Sequence, residues 1–581
     1  MAESKRTRLE VLRSQLSNER SSFISQWRDV NDYIIPYRGK FFVEDVNRGD
    51  RRNLNIINSK GTFAANTLAS GMMAGVTSPA RPWFKLGASD DELSEFGSVK
   101  TWLDLVTKRM NNVFLKSNIY KTLPINHRDN GTFGTAPISV EEDFDKVIFT
   151  KSYPVGSYYI AVDAKGKVNT WMREYAMTVR NVVETFGVKD GDGKYDWSKF
   201  STMVKQCWDR GQYQSWVQVV HAIYPNDEYD HRSPFNSKKK FASCYYERGF
   251  INGSGRNYID GPDDNKYLRE SGYDYMPILC PRWMVNGEDA YGTECPGFVA
   301  IGDIKQLQHG EKVHGKALDK MVDPALVASV SLQNSRISIL PGDITFVNDR
   351  DGAQGLRAAH DVNLRIDHLD AKMDKIERRI SRAFYEDLFL MLASSDRRQI
   401  TATEIDERKE EKLLALGPVL EQLNDDLLDP LIDITFDMMN RKGMIPPPPA
   451  ELQGMPLRVE YISTMAQAQK MIGIGTHERF MNSVLAISQQ RPDVWDKVDT
   501  DQYIDRYADN LSVANGVVRT DDAAAAIRAQ RAQAQQQQQA AANLPGIAGA
   551  AKDLSQADMS GDNALTKLTQ QARAGQLVNG A

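Results

Sequence analysis

Four Gly-Lys pairs, at 39, 166, 193 and 315, are where this 581-residue chain could begin to cradle a phosphate. A nucleotide loop also needs a glycine five positions upstream and a Ser or Thr after the lysine, so that main-chain N–H groups wrap the phosphates and the hydroxyl reaches the metal. None of the four pairs has both. The stretch DGDGKYD at 190–196 has calcium-loop spacing, but Lys194 occupies a ligand position and Ser201 stands where the bidentate glutamate belongs. His309 and His314 lie five apart, so they do not share a helical face, and neither H-E-x-x-H nor G-x-S-x-G occurs. The four cysteines, Cys207, Cys244, Cys280 and Cys295, make no C-x-x-C pair, which leaves out a zinc cluster and a disulfide framework. The expectation is a chain with no catalytic residues, no metal and no cofactor.

Charge is arranged with more order than any of these. Over 360–392, Val362, Ile366, Leu369, Met373, Ile376, Ile380 and Ala383 step by alternating fours and threes, a heptad seam. Arg365, His368, Lys372, Lys375, Arg379 and Arg382 fall on one flank of it, and Asp367, Asp370, Asp374 and Glu377 on the other. At 1.5 Å per residue the helix would be roughly 50 Å long. Basic and acidic flanks suit head-to-tail packing of identical copies, and heterologous contacts of that kind close into rings. They suit equally a solvated helix in a single-chain bundle, because surface ion pairs are common and weak. Periodicity does not choose between the two.

The elements that position this helix are mostly helical. Length alone allows about three or four structural regions. Apolar residues at 41% and charged ones at 26% are ordinary globular usage. The net charge, 72 − 77 = −5, is unlike that of a protein that grips nucleic acid over a broad patch. Leu9, Leu12, Leu16, Phe23, Trp27, Val30 and Ile34 predict a long amphipathic helix. A second helix over 58–74 is rich in Ala and Gly, so another backbone can approach it closely. TSPARPWFKL follows, where Pro79 and Pro82 stop the helix and Trp83 and Phe84 can plug a core with Arg81 as a hydrogen-bonded rim. A helix at 98–116 comes next. Beyond Pro137 the period changes to two, and residues 137–283 read as a mixed α+β region with strands, a hairpin at 163–166 and short helices near 178–187 and 195–208. Helices return at 301–322 and 402–441, separated by a β-rich excursion. From Asp521 the chain is Ala/Gln-rich and low in complexity. The start MAESKRTRLE lacks a signal segment, and the reading is a protein kept in the cytosol or in a particle assembled there.

Five stretches, four motifs in a family's order, carry a resemblance. TLASGMMAGVTSPARPWFKL, PVGSYYIAVDAKGKVNTWMREY, PRWMVNGEDAYGTECPGFVAIGDIKQL with KALDKMVDPAL, and ITATEIDERKEEKLLALGPVLEQLNDDLLDPLI are similar to the signatures of the portal, or head-to-tail connector, proteins of short-tailed bacteriophages. Cys295 before Pro296 is a departure, since the family more often has serine or another small residue there.

The resemblance implies an α+β, mainly helical portal fold assembled as a ring, typically of twelve subunits. It divides the chain into a wing (1–298), a first stem helix (299–322), a clip (323–358), a second stem helix (359–392), a channel loop (393–401), a wing helix and connector (402–474), a crown (475–520) and the C-terminal tail (521–581). It implies a structural conduit for double-stranded DNA at one capsid vertex of the virion, assembled in the host cytoplasm, with no enzymatic activity and no direct membrane contact. Terminase, tail adaptor and tail proteins, major capsid protein and scaffolding protein are the implied partners. In ASSDRRQI, Arg397 and Arg398 would face the channel, the charged flanks of 360–392 would meet between neighbours, and Arg81, Trp83 and Phe84 would form a wedge in the wing. An internal virion or ejection protein, and a packaging enzyme, are the alternatives.

Overall fold

A computed structural model describes residues 4–43, 45, 49–88, 96–252, 255–258, 266–322, 326–327, 357–358, 366–394, 416–452, 454–463, 465–466, 480–489, 491–510, 518–519 and 524–536. The chain opens with α1 (Lys5–Tyr33), whose N-cap Ser4 accepts from the Thr7 N–H. Leu9, Leu16, Trp27, Val30 and the following Ile34 are buried, as the apolar spacing predicts. Beside that stripe runs a second one of arginines seven apart. Arg6 donates to the Glu247 carbonyl at 2.6 Å, Arg13 to the Glu174 carboxylate at 2.7 Å, and Arg20 to the Gly156 and Tyr158 carbonyls at 2.6 and 3.0 Å. The helix is thus fixed to its sheet by hydrogen bonds as much as by burial. Burial pushes the nearby Glu10 carboxyl up, yet Arg13 and Arg248 together hold it below the usual carboxylate range.

That sheet has six strands, β4 (Tyr158–Val162), β5 (Val168–Thr178), β6 (Trp216–Pro225), β7 (Phe241–Asn252), β8 (Gly255–Tyr258) and β9 (Arg269–Tyr273), all paired antiparallel. The twelve-residue β7 carries β9 along its first half and β8 along its second. Leu9 and Leu16 cover Met172, Val220 and Tyr246 on one face. The short helices α5 (Val179–Phe186) and α6 (Thr202–Asp209) close the far end of the other face. A smaller sheet joins β2 (Ile138–Asp143), β3 (Val147–Ser152) and β10 (Ile278–Leu279).

In front of these strands stand α2 (Lys60–Gly75), α3 (Gly97–Lys116) and α4 (Ile119–Phe133). No apolar period announces α4. Asn126, His127, Asp129, Asn130 and Thr132 are all buried in it. Three of them meet the surrounding chain: Arg38 Nε donates to Asp129 at 2.6 Å, Asn126 to the Ala136 carbonyl at 2.5 Å, and Thr77 Oγ1 lies 3.2 Å from His127 Nε2. Burial pushes the Asp129 carboxyl up, more than Arg38 pulls it down.

The end of the TSPARPWFKL stretch enters β1 (Phe84–Ala88), paired antiparallel with β13 (Leu457–Tyr461), distant in sequence. Trp83 and Phe84 are buried; Trp83 lies 5.8 Å from Phe114 of α3 and 6.5 Å from Tyr461, and its Nε1 donates to Tyr120 of α4. The small stripe of α2 takes a side chain as well as a backbone. A Cβ on Gly71 would fall 2.2 Å from the ring of Phe389, while Gly131 of α4 sits against Leu68.

Helix α7 (Pro296–Val322) and α8 (Ile366–Ala383) form an antiparallel hairpin, in which Asp303 faces Arg379 and His314 faces Asp370. The clip assigned to 323–358 falls outside the described residues, apart from a paired two-residue strand at each end, β11 (Leu326–Val327) and β12 (Arg357–Ala358). The single helix expected over 360–392 is broken. After Ala383 the chain turns through Tyr385, at φ 55°, and restarts as α9 (Glu386–Ser394). A bulky residue in the left-handed region costs about 1–2 kcal/mol. The turn offsets it by burying Phe384, Leu388 and Phe389. The seam itself ends there, for Asp387 stands where its next step of four would fall.

The helix expected at 402–441 is described from 416 and is helical to Arg441, with one π turn at Asn424–Leu428. Pro430 has no N–H to give a regular helix, and the π turn before it closes with the Asp429 N–H on the Asn424 carbonyl. It also delivers Asp426 to Arg282, a buried pair at 3.0 Å. Gly443, at φ 67°, ends the rod before the four prolines at 446–449. Helices at 480–488, Thr500–Asn510 and 524–536 follow.

The buried histidine gives the fold a pH signature. Burial pushes the His127 imidazole down to about 4, from an ordinary 6.5. The folded chain keeps it neutral in a window where the unfolded chain binds a proton. Its contribution is therefore fully present above pH 6.5 and is lost as the pH falls toward 4, a change on the order of 3 kcal/mol. Urea midpoints should drop across that window, and His127→Gln should flatten the drop. An unchanged profile in the variant would place the acid sensitivity on other groups.

Candidate functional site

The α7–α8 hairpin gathers most of the residues singled out by charge. Its root is packed: Ile376 and Ile380 of α8 and Ile304 and Leu307 of α7 are buried. Toward the other end Leu369 and Met373 are half-buried, and Val313, Leu318 and Met321 are exposed, with Val322 at 84%. The seam is thus used against α7 of the same chain at the root, and apolar surface remains beyond it.

The two charged flanks are treated differently. On the basic side Lys372, Lys375, Arg379 and Arg382 are all exposed. Arg379 pairs with Asp303 at 2.8 Å and reaches Gln306 at 3.2 Å. Arg382 lines a cavity of about 520 Å³ opened by the turn at Tyr385, with Trp283, Glu294 and Asp387 on its walls. On the acidic side Asp367, Asp370 and Asp374 are exposed, with Asp370 at 3.4 Å from His314. Glu377 is drawn into the subunit. The Asn58 amide donates to Glu377 at 3.0 Å and to Glu311 of α7 at 2.8 Å, so one neutral side chain separates two carboxylates. Gln308 completes the tie by accepting from the Ile57 and Asn58 N–H groups and donating to the Asn58 carbonyl. Sequence reading missed Asn58 and Gln308, because neither belongs to a charge pattern or an apolar period.

Arg365, Arg397 and Arg398 lie outside the described residues. Arg81 is exposed and makes no hydrogen bond or ion pair among the described residues, whereas its neighbours Trp83 and Phe84 are interior. DGDGKYD is a tight turn: the Asp190 N–H donates to the Lys194 carbonyl at 2.8 Å and Gly193 has φ 76°. All four cysteines are free thiols, and burial pushes Cys295 up to about 12. Among the described residues no group of three or more His, Cys, Asp or Glu is gathered to hold a metal ion, and no helix is long and apolar enough to cross a membrane.

The hairpin is aimed by a contact between main chains. The Gly134 carbonyl accepts from the Trp283 N–H at 3.0 Å, and a Cβ on Gly292 would fall 2.1 Å from that same oxygen. A Cβ on Gly297, at the start of α7, would fall 2.1 Å from the Thr132 carbonyl. The stretch PRWMVNGEDAYGTECPGF therefore wraps the end of α4 before launching α7.

Residues 6–518 match the family described as bacteriophage head to tail connecting protein. The chain is 43% identical over 576 residues to a protein named portal protein from Salmonella phage epsilon15, covering 99% of this chain and all of the relative. It is also 43% identical over 570 residues to a probable portal protein from Bordetella phage BPP-1, covering 98% of this chain and 99% of the relative.

Asn58 is the place to test how the hairpin root is held. Asn58→Asp keeps the oxygen that accepts from Lys60 N–H but sets a third carboxylate beside Glu311 and Glu377. The loss should be about 2 kcal/mol or more in urea denaturation near neutral pH, shrinking at acid pH as the carboxylates protonate. Equal stability at both pH values would refute this reading of the tie.

Proposed function

The chain belongs to the bacteriophage head to tail connecting, or portal, proteins, and from that premise we propose that it assembles as a ring of twelve copies at one vertex of the capsid. The ring is the conduit for double-stranded DNA during packaging and ejection. It receives terminase first and tail adaptor and tail proteins afterwards, with major capsid and scaffolding proteins around it. Its work is mechanical, and the chain carries out no catalysis. The single observation that supports this most is the end-to-end match to a portal protein, which leaves no region of the relative without a counterpart.

Physical features of the subunit support the same reading. The outer part of the hairpin offers Lys372, Lys375, Asp370 and Asp374 to solvent together with apolar side chains of α7. A neighbour rotated about an axis would set the basic flank of one copy against the acidic flank of the next. An acidic net charge of −5 suits a passage through which DNA must slide, since every phosphate neutralised adds salt-dependent affinity. Arg397 and Arg398 are proposed to touch phosphates from the loop at 393–401. The wing, stem, clip and crown divisions are kept with one change, the break in the second stem helix at Tyr385.

Negative-stain images of the purified protein should show annular particles with a central opening; solitary compact particles at high concentration would sink the proposal. Lys372→Glu with Lys375→Glu should shift sedimentation from ring to subunit, and adding Asp370→Lys and Asp374→Lys should restore the ring. Failure of that rescue would remove the flank pairing while leaving ring formation itself open to imaging. Arg397→Ala with Arg398→Ala should leave the ring intact and reduce DNA packaging or retention; normal packaging would take both residues off the channel.

A further inference from the structure

The six-stranded sheet carries a row of side chains that the conduit reading does not use. Arg173 on β5 is paired in register with His221 on β6, His221 with Tyr245 on β7, and Tyr245 with Arg269 on β9. The row crosses the face opposite α1, between the main core around Trp171 and the cluster under α5 and α6. The His221 and Tyr245 rings stack at 3.7 Å and 11°, and the Arg269 guanidinium lies 4.7 Å from the Tyr245 ring. Arg173 is held 4.8 Å from the Tyr153 ring and 4.5 Å from Tyr175, with Lys151 Nζ 5.9 Å from Tyr153.

Positive charge and donors are in excess here. Among the described residues Lys151, Arg173 and Arg269 make no hydrogen bond or ion pair with a carboxylate; Glu141 on β2 acts on Lys151 only through its field. The Nε atoms of Arg173 and of Trp171 are buried with no acceptor. Burial pushes the Arg173 guanidinium down from its ordinary range, and the surrounding cations help burial hold His221 well below its own. A half-buried arginine left without an acid is costly, and a bound anion would offset that cost. The row is reachable, for Lys151 and Arg269 are exposed and Arg173 is half-buried.

We propose that Lys151, Arg173 and Arg269 form an oxyanion site whose ligand is the side-chain carboxylates of an extended acidic segment of a partner protein. Three considerations select carboxylates on a peptide. Arg173 and Arg269 stand three strand spacings apart, about 14 Å, which an extended chain covers with acidic residues about four apart. The Tyr245 ring has His221 at 3.7 Å and Arg269 at 4.7 Å, and Tyr153 and Tyr175 each lie against Arg173, so the rings beside the cations are already engaged where a nucleobase would stack. Between the two arginines the half-buried Tyr245 ring offers an apolar edge to the methylene stems of glutamates, a contact that a duplex backbone of hydrated phosphates does not return.

The test uses the full-length protein and fluorescein-labelled hexaglutamate, followed by anisotropy at low salt. Wild type should bind, and Arg269→Gln and Arg173→Met should each weaken binding by about tenfold. Lys165→Gln, on the exposed hairpin tip, should bind as wild type does. Arg269 is exposed, so its variant should melt as wild type melts, which separates lost binding from lost folding. Absence of binding, or equal weakening by Lys165→Gln, overturns the site. Inorganic phosphate or a short DNA duplex that displaces the peptide, and whose own binding is lost in Arg269→Gln, overturns the carboxylate assignment.

Discussion

Where α4 ends, two stretches of main chain lie against each other with no room for a Cβ between them, and the geometry of the subunit follows from that contact. Gly134, at φ 78°, turns the helix end so that its carbonyl meets the Trp283 N–H, and Gly292 and Gly297 let the returning chain lie flat on it. A side chain at any of these glycines would move the start of α7, and with it the whole hairpin. Atomic approach at this level tolerates little, because packed interiors have almost no free volume. The signature in the 281–307 region thus meets a packing requirement.

Around that point the subunit is held by polar interactions in unusual places. An arginine ladder docks α1, a helix of buried Asn, His, Asp and Thr runs through the centre, and Arg282 reaches Asp426 only because a π turn offers it. Buried charges contribute little net stability when paired and cost a great deal when one partner is missing. They penalise misregistered alternatives strongly.

The hairpin shows a division of labour along one helix pair. At the root, charges such as Glu377 and Arg379 are engaged by Asn58 and Asp303 of the same chain. Farther out, lysines and aspartates remain exposed beside unburied apolar side chains. A charge pattern that is uniform in the sequence is therefore split between holding the subunit together and facing outward.

Much of this was legible in the residues themselves. Apolar residues recurring at helical spacing predicted α1, α3 and α8, alternation predicted β5, β6 and β7, and the prolines after Gly75 predicted the elbow, because burial of one face imposes its period on any chain. The family could be named from four motifs in order along the chain. The tertiary structure alone decided the rest. Helix α4 has no apolar period, since buried polar residues of it pair with residues far along the chain, Asp129 with Arg38 and His127 with Thr77. The break at Tyr385 buries Phe384 and Leu388 and sets Phe389 on Gly71 of α2, a destination no local pattern encodes. The row from Arg173 to Arg269 exists only because strand register sets side by side residues separated by nearly a hundred positions in sequence. Periodicity reports which face of an element is buried; what lies across from it is fixed by long-range packing, where many partners of similar polarity compete and only the assembled fold selects one.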